Sequence, residues 1–357
     1  MFLKDPDFEL MLRAVRAWLK DEQFSEVLTP GAWEYARWHR LDGVLAFLSD
    51  PVLLRNRVME EMQDEALLME LASAFNGEQI GFITFKGLEN SRRFHWQPGV
   101  RRAKDIDLLV EPDKRDMAIE LMEKLGFAFP DHVVYLKRGF DVEHSVICVR
   151  QNRIVDLHWR MDSPAYPFVS VGDVFSHTTS LFLGSVQIPV LTPDMEFAYL
   201  VYHGSKHLWY RLHWLVDLCA FVRSCPLTPE IIQRIHESGQ HRSYLVANGL
   251  TTKLFDFPIC DPDEAPAVST DRVEYVVSFW QKGARHHPVS IQMTPFQLFR
   301  ANLQFTSSGL LKWKRLWAAL THPTNSDLQV FGGFLSRFPW IVVLRPMRVL
   351  FASLGRK

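Results

Sequence analysis

Asp105-Ile106-Asp107 runs directly into Leu108-Leu109-Val110 within "RRAKDIDLLVEP". Two acids two residues apart, inside what otherwise reads as a buried strand, constrain the fold more than any other feature of the chain. On a strand, residues i and i+2 share a face about 6.6 Å apart along the chain, so Asp105 and Asp107 point together and Ile106 points away. Like charges placed this close are costly to bury unless a cation neutralises them, and an all-oxygen donor set suits Mg²⁺ or Mn²⁺. A short acid-x-acid motif also fits an ordinary solvated strand face.

A third acid narrows the choice. Asp156 lies in "RIVDLHW", another apolar run, where Val155 and Leu157 take the opposite face. His158 shares the parity of Asp156, and both a neutral histidine hydrogen-bonded beside a metal site and a satisfied buried histidine fit it. Upstream, "FITFKGLEN" ends a strand at Lys86-Gly87 and opens a short helix, where free backbone N–H groups and a lysine suit a phosphate. Arg101, Arg102 and Lys104, just ahead of the acids, fit either a triphosphate or a solvated charge run. His203, Lys206, His207 and Arg211 recur along one side of a helix, as contacts to phosphate or acceptor or as a polar stripe. Asp217 fits an ion pair as well as a catalytic role.

Around these motifs the texture changes twice. Residues 1–77 carry helical periodicity, as in "DFELMLRAVRAWLK". Residues 78–190 hold the strand-like runs "GFITFKG", "DIDLLVE", "HVVYLK", "VEHSVICVR" and "RIVDLHWRM", with "PDKRDMAIELMEKLG" as a helix between them, an α+β core with a mixed sheet. Residues 191–357 are mostly helical, with "CDPDEAPAV" as a loop. The 40 basic and 41 acidic residues nearly cancel, which argues against a general nucleic-acid substrate. Cys148, Cys219, Cys225 and Cys260 form no metal-binding or disulfide pattern. The acids of "MFLKDPDFEL" interrupt any signal peptide, and "FGGFLSRFPWIVVLRPMRVLFASL" is too broken by arginine and proline to span a bilayer, so a cytoplasmic location is expected.

In their order, "FKG", "RRAKDIDLLV", "VDLHWR" and "HGSKHLWYRLHWLVDL", with the tail "HPTNSDLQVFGGFLSRFPWIVVLRPMRVL", resemble the uncharacterised-nucleotidyltransferase family, a branch of the polymerase-β-like nucleotidyltransferase superfamily. The resemblance covers most of the chain and implies a polymerase-β-like mixed-sheet core flanked by helical regions. It implies Mg²⁺-dependent transfer of an NMP from an NTP to a hydroxyl or phosphate of a small-molecule, peptide or protein acceptor, with pyrophosphate released. Asp105 and Asp107 would bridge the metals and Asp156 would complete the site. Lys86, Gly87, Arg102, Lys104, His203, Lys206 and His207 would face the nucleotide. The superfamily's usual Gly-Ser turn is here Lys86-Gly87, with the lysine as a point charge. A non-catalytic NTP-binding module and another phosphotransferase on the same scaffold are the alternatives.

Overall fold

A computed structural model describes residues 5–130, 143–163, 168–260, 270–280, 303–305 and 309–322 of the 357-residue chain. Helix starts follow a repeated local rule: Asp or Thr followed by Pro opens α1 (Pro6–Lys20), α2 (Pro30–His39) and α4 (Pro51–Gly77). At each, the acid or hydroxyl accepts a free N–H of the first turn and the proline occupies a position whose own N–H has no helical partner. α3 (Asp42–Ser49) lies between α2 and α4.

The sheet is built from β1 (Phe82–Thr84), β2 (Ile106–Val110), β3 (Ser145–Arg150), β4 (Arg153–His158), β5 (Thr178–Leu183) and β6 (Val186–Leu191), in the order β3-β4-β2-β1-β6-β5. β2 pairs parallel with β4 and antiparallel with β1, and β1 pairs parallel with β6, so the sheet is mixed. The core is thus α+β as expected, and β2 is buried along its whole length. The helix expected from Pro112 begins as a single 3₁₀ turn, Pro112–Lys114, and continues as α6 (Arg115–Lys124), after α5 (Gly87–Phe94) between β1 and β2. The expected strand "HVVYLK", most of the loop "CDPDEAPAV" and the apolar C-terminal run lie outside the described residues.

Side-chain alternation divides the molecule into two apolar layers. Ile106, Leu108, Val110, Val155 and Leu157 point to the face covered by Leu71 and Phe75 of α4 and by Ile119 and Met122 of α6. Ile83, Phe85 and Leu109 point the other way, into a larger core shared by α1–α3 and the helices after the sheet. Those are α7 (Val171–Ser176), which precedes β5, then α8 (Pro193–Lys206), α9 (His213–Ser224), α10 (Pro229–Glu237), α11 (His241–Phe255) and α12 (Thr270–Trp280); α13 (Gly309–Thr321) follows in the chain. Among the described residues, no helix is long and apolar enough to cross a membrane.

Candidate active site

Parallel pairing of β2 with β4 sets Asp107 directly beside Asp156. Both belong to the face that carries Leu109 and His158, because each lies an even number of residues away. His158 Nε2 is 3.1 Å from Asp107 Oδ1 and 3.1 Å from Asp156 Oδ2. One ligand atom from each of these residues lies within 4.8 Å of the others, a grouping that could hold a metal ion; Asp105, expected beside them, is not part of it.

Lys86 reaches the same spot by breaking the strand alternation. Its backbone is at φ 62° and ψ −171°, a region that side chains other than glycine's seldom occupy. The turn sends its ammonium across the sheet face to donate to Asp107 Oδ1 at 3.0 Å, 4.7 Å from the Phe85 ring centroid and 5.5 Å from that of Tyr199 on α8. Gly87 follows at φ 49°, and a Cβ there would lie 3.3 Å from both the Asp105 carbonyl oxygen and the Ala103 Cβ. The turn that opens α5 therefore rests on the segment that delivers the acids.

The charges of the group depend on one another. Burial alone works against ionising Asp156, but His158 beside it, reinforced by Lys86, outweighs burial and holds the carboxyl well below the usual range. Burial likewise disfavours charge on His158, and the two carboxylates overcome it and raise its affinity for a proton. Lys86 is buried too, and Asp107, Tyr199 and Asp156 keep it firmly charged. Asp105 sits just before β2; burial and then repulsion from Asp107 push its carboxyl up. Asp156 Oδ1 is buried with no partner at hydrogen-bond geometry, although the Ser145 side chain lies near enough to help hold the carboxyl down.

Sequence candidates on α8 separate by environment. Lys206 Nζ lies 2.7 Å from both carboxylate oxygens of Asp162, which also accepts the Tyr202 hydroxyl at 2.7 Å. Burial opposes this charge, yet Lys206 and His144 hold the Asp162 carboxyl down to about 2. His203 stacks on Tyr199 with centroids 5.7 Å apart, and His207 lies flat on Trp214 at 4.9 Å. Burial first, then neighbouring lysines, keeps both rings neutral, with His207 lowered to about 3. Arg102 and Lys104 are exposed. Asp217 is committed to a buried ion pair, receiving Arg101 Nε at 2.7 Å and facing His95 Nε2 at 2.8 Å.

Sequence reasoning missed Asp162 and Arg40, the latter close enough to Asp105 to favour its ionised form. Neither lies in a motif: Asp162 follows β4 in an irregular segment, and Arg40 comes from the helices ahead of the sheet.

The sequence model of a family described as "Uncharacterised nucleotidyltransferase" matches residues 28–256, which contain every acid of the group. Among solved structures, the antibiotic-resistance factor ANT(2'')-Ia, determined in solution, is similar at 10% identity over 50% of this chain and 83% of its own, with a TM-score of 0.31. An antigenic nucleotidyltransferase-like protein from Paracoccidioides brasiliensis is similar at 12% identity over 56% of this chain and 94% of its own, with a TM-score of 0.34. No curated protein matches.

Proposed function

The chain belongs to the uncharacterised nucleotidyltransferase family, and from that premise we propose that it moves an NMP from an NTP to a hydroxyl or phosphate of an acceptor, releasing pyrophosphate, with Mg²⁺ or Mn²⁺ held by Asp105, Asp107 and Asp156. The observation that carries this reading is the orphaned Oδ1 of Asp156, side by side with Asp107 in the β2/β4 register. A buried carboxylate oxygen without a donor costs about 1–3 kcal/mol or more, and a hard cation among carboxylates is the simplest partner that removes the cost. The donors fit such an ion: oxygens predominate, and His158 is already occupied as a hydrogen-bond donor to two of them.

A divalent cation bound there supplies charge neutralisation at the phosphates and orientation for in-line attack. The chain's own groups do the rest. Lys86 and the N–H groups at the start of α5, which no side chain caps, hold phosphate oxygens on the sheet face, with Arg102 and Lys104 reaching the outer phosphates. His158 fixes the facing carboxylate oxygens of Asp107 and Asp156. His203 and His207, kept neutral, line the helix side without adding charge. The bond formed joins the acceptor oxygen to the α-phosphorus. The bond broken joins that phosphorus to the oxygen bridging to the β-phosphorus, and pyrophosphate leaves.

Incubation of the full chain with each NTP, Mg²⁺ and candidate acceptors, followed by mass spectrometry, should reveal an acceptor heavier by one NMP. Asp156→Ala should keep NTP affinity within about tenfold, equal to 1.4 kcal/mol, and lose transfer by several orders of magnitude. A folded Asp156→Ala protein with normal single-turnover transfer removes this residue from the site, and NTP binding with no transfer to any acceptor favours a non-catalytic nucleotide-binding module.

A further inference from the structure

α2 ends at His39, and Arg40 caps it in the left-handed region at φ 58°. The connection from α8 to α9, residues 207–212, is fastened to this end. The Leu212 N–H donates to His39 Nδ1 at 3.2 Å, and Arg211 Nη1 donates to the Trp38 carbonyl at 3.1 Å. The Arg211 guanidinium lies 5.7 Å from the Trp38 ring centroid and 5.9 Å from that of Tyr210. The connection is itself held in an unusual shape: Leu208 and Trp209 both take positive φ, at 51° and 43°, and both are fully buried.

This fastening brings Arg211 to the end of α2 that carries Arg40, close enough for its charge to act on the Arg40 guanidinium. Arg40 is half-buried, within electrostatic reach of Arg211, Arg101 and Asp105. Arg101 is answered by Asp217, which takes its Nε at 2.7 Å and its Nη2 at 3.0 Å. Among the described residues, no carboxylate lies within ion-pair distance of Arg40 or Arg211, and the Arg40 side chain makes no hydrogen bond. Two like charges held together and partly desolvated are costly, and an oxyanion that accepts from both planar forks removes the cost.

We propose that Arg40 and Arg211 grip an oxyanion on the acceptor, so that the acceptor is a phosphate- or carboxylate-bearing molecule whose reacting group is presented beside Asp105. The proposal rests on the transfer reaction above and narrows its substrate class. The nucleotide's phosphates already have Lys86 and the start of α5, on the side of Asp107. The arginine pair comes instead from α2 and the α8–α9 connection, outside the sheet, and adjoins Asp105. The oxyanion undergoes no bond change; it anchors the molecule.

The test titrates the full chain by calorimetry with inorganic phosphate and with succinate, first alone and then beside ATP and Mg²⁺. Phosphate or succinate should bind to the free protein, and the stronger of the two names the acceptor's anion; binding of neither, with or without ATP and Mg²⁺, overturns the proposal. Arg40→Gln and Arg211→Gln should each weaken that probe by about tenfold or more, with Arg40→Lys and Arg211→Lys recovering only part, while ATP affinity stays within about threefold. Probe binding unchanged in the glutamine variants overturns the proposal. So does an ATP affinity that falls as steeply as the probe's, because the pair then serves the nucleotide. Thermal melting checks each variant; should Arg211→Gln fail to fold, Arg40→Gln decides alone, since its side chain has no hydrogen bond to lose. Failure of the transfer reading appears separately, as ATP binding or NMP addition that is absent while the anion titration still depends on Arg40.

Discussion

Lys86 concentrates the tension between stability and chemistry at a single residue. Its φ of 62° with ψ −171° places a side-chain-bearing residue where glycine alone is comfortable, and the ammonium it delivers is 3.0 Å from Asp107. Replacing it with alanine or with glycine removes the same charge, so the difference between those variants isolates the backbone. Lys86→Gly should be more stable than Lys86→Ala by about 1–3 kcal/mol in urea denaturation. Both should lose NTP use, read as kcat/KM for NTP, with acceptor KM little changed. Equal stability of the two would mean that the turn is unstrained, and wild-type NTP use in either would make the lysine structural. Much of this neighbourhood was legible in the sequence. Alternation alone puts Asp107, Asp156 and His158 on one face, and the pairing of Asp107 with Asp156 agrees with it. The reversal at Lys86 was not legible, since a Lys-Gly pair suggests that the glycine carries the positive φ, whereas both residues do.

At the scale of elements, the segment that carries the cations and acids, residues 95–105, has no regular structure of its own and borrows rigidity from α3 and α4. The Gly99 N–H donates to Glu61 Oε2 at 2.6 Å, and Ser91 Oγ donates to the same carboxylate's other oxygen at 2.9 Å. α3 presses on it so closely that a Cβ on Gly43 would lie 2.1 Å from the Val100 carbonyl oxygen and 2.7 Å from that of Gly99. Backbone cannot swing aside as a side chain can. Gly43→Ala should therefore destabilise the protein by about 1–3 kcal/mol and shift the acid-bearing segment, lowering kcat at a site it never touches. A urea midpoint and kcat equal to wild type would show that α3 can retreat at no cost. Close approaches of this kind are invisible in a single sequence, where Gly43 reads only as a poor helix former. The β5–β6 hairpin was missed for a different reason. Its signal was present, two strand-like runs around the two-residue turn Gly184-Ser185 with Gly184 at φ 58°, but Thr178, Thr179 and Ser180 weaken the apolar alternation of an edge strand.

Across the whole molecule, acid should weaken the fold first through buried neutral histidines, opposed by buried carboxyls such as Glu89, which burial and then Glu196 push well up. Burial first, with the positive Arg211 nearby, lowers His39 from 6.5 to about 3. Burial lowers His144 to about 4 and His207 to about 3. Between pH 6.5 and those values the unfolded chain binds protons at these histidines that the folded chain refuses, so their contribution to stability is fully present above about pH 6.5 and declines as the pH falls. Asp162 behaves differently: its carboxyl is held down to about 2, so its contribution persists at any pH above the ordinary 3.8 and is lost only as pH falls through about 2. The melting temperature should thus fall between pH 7 and pH 5, with no help from that ion pair. His39 gives the decline a local address, because its Nδ1 accepts the Leu212 N–H that ties the α8–α9 connection to α2. Protonation would turn that acceptor into a donor, which the folded protein resists until the pH nears about 3, so between pH 5 and 6.5 His39 acts through the unfolded chain. Asn in place of His39 offers an acceptor oxygen near the same position and does not titrate. His39→Asn should flatten the dependence of unfolding free energy on pH between 5 and 6.5 by up to about 1.4 kcal/mol per pH unit, while probe binding to the folded protein at Arg40 and Arg211 stays unchanged in that window. A variant whose pH dependence of melting follows the wild type through that window would show that the decline begins at other groups.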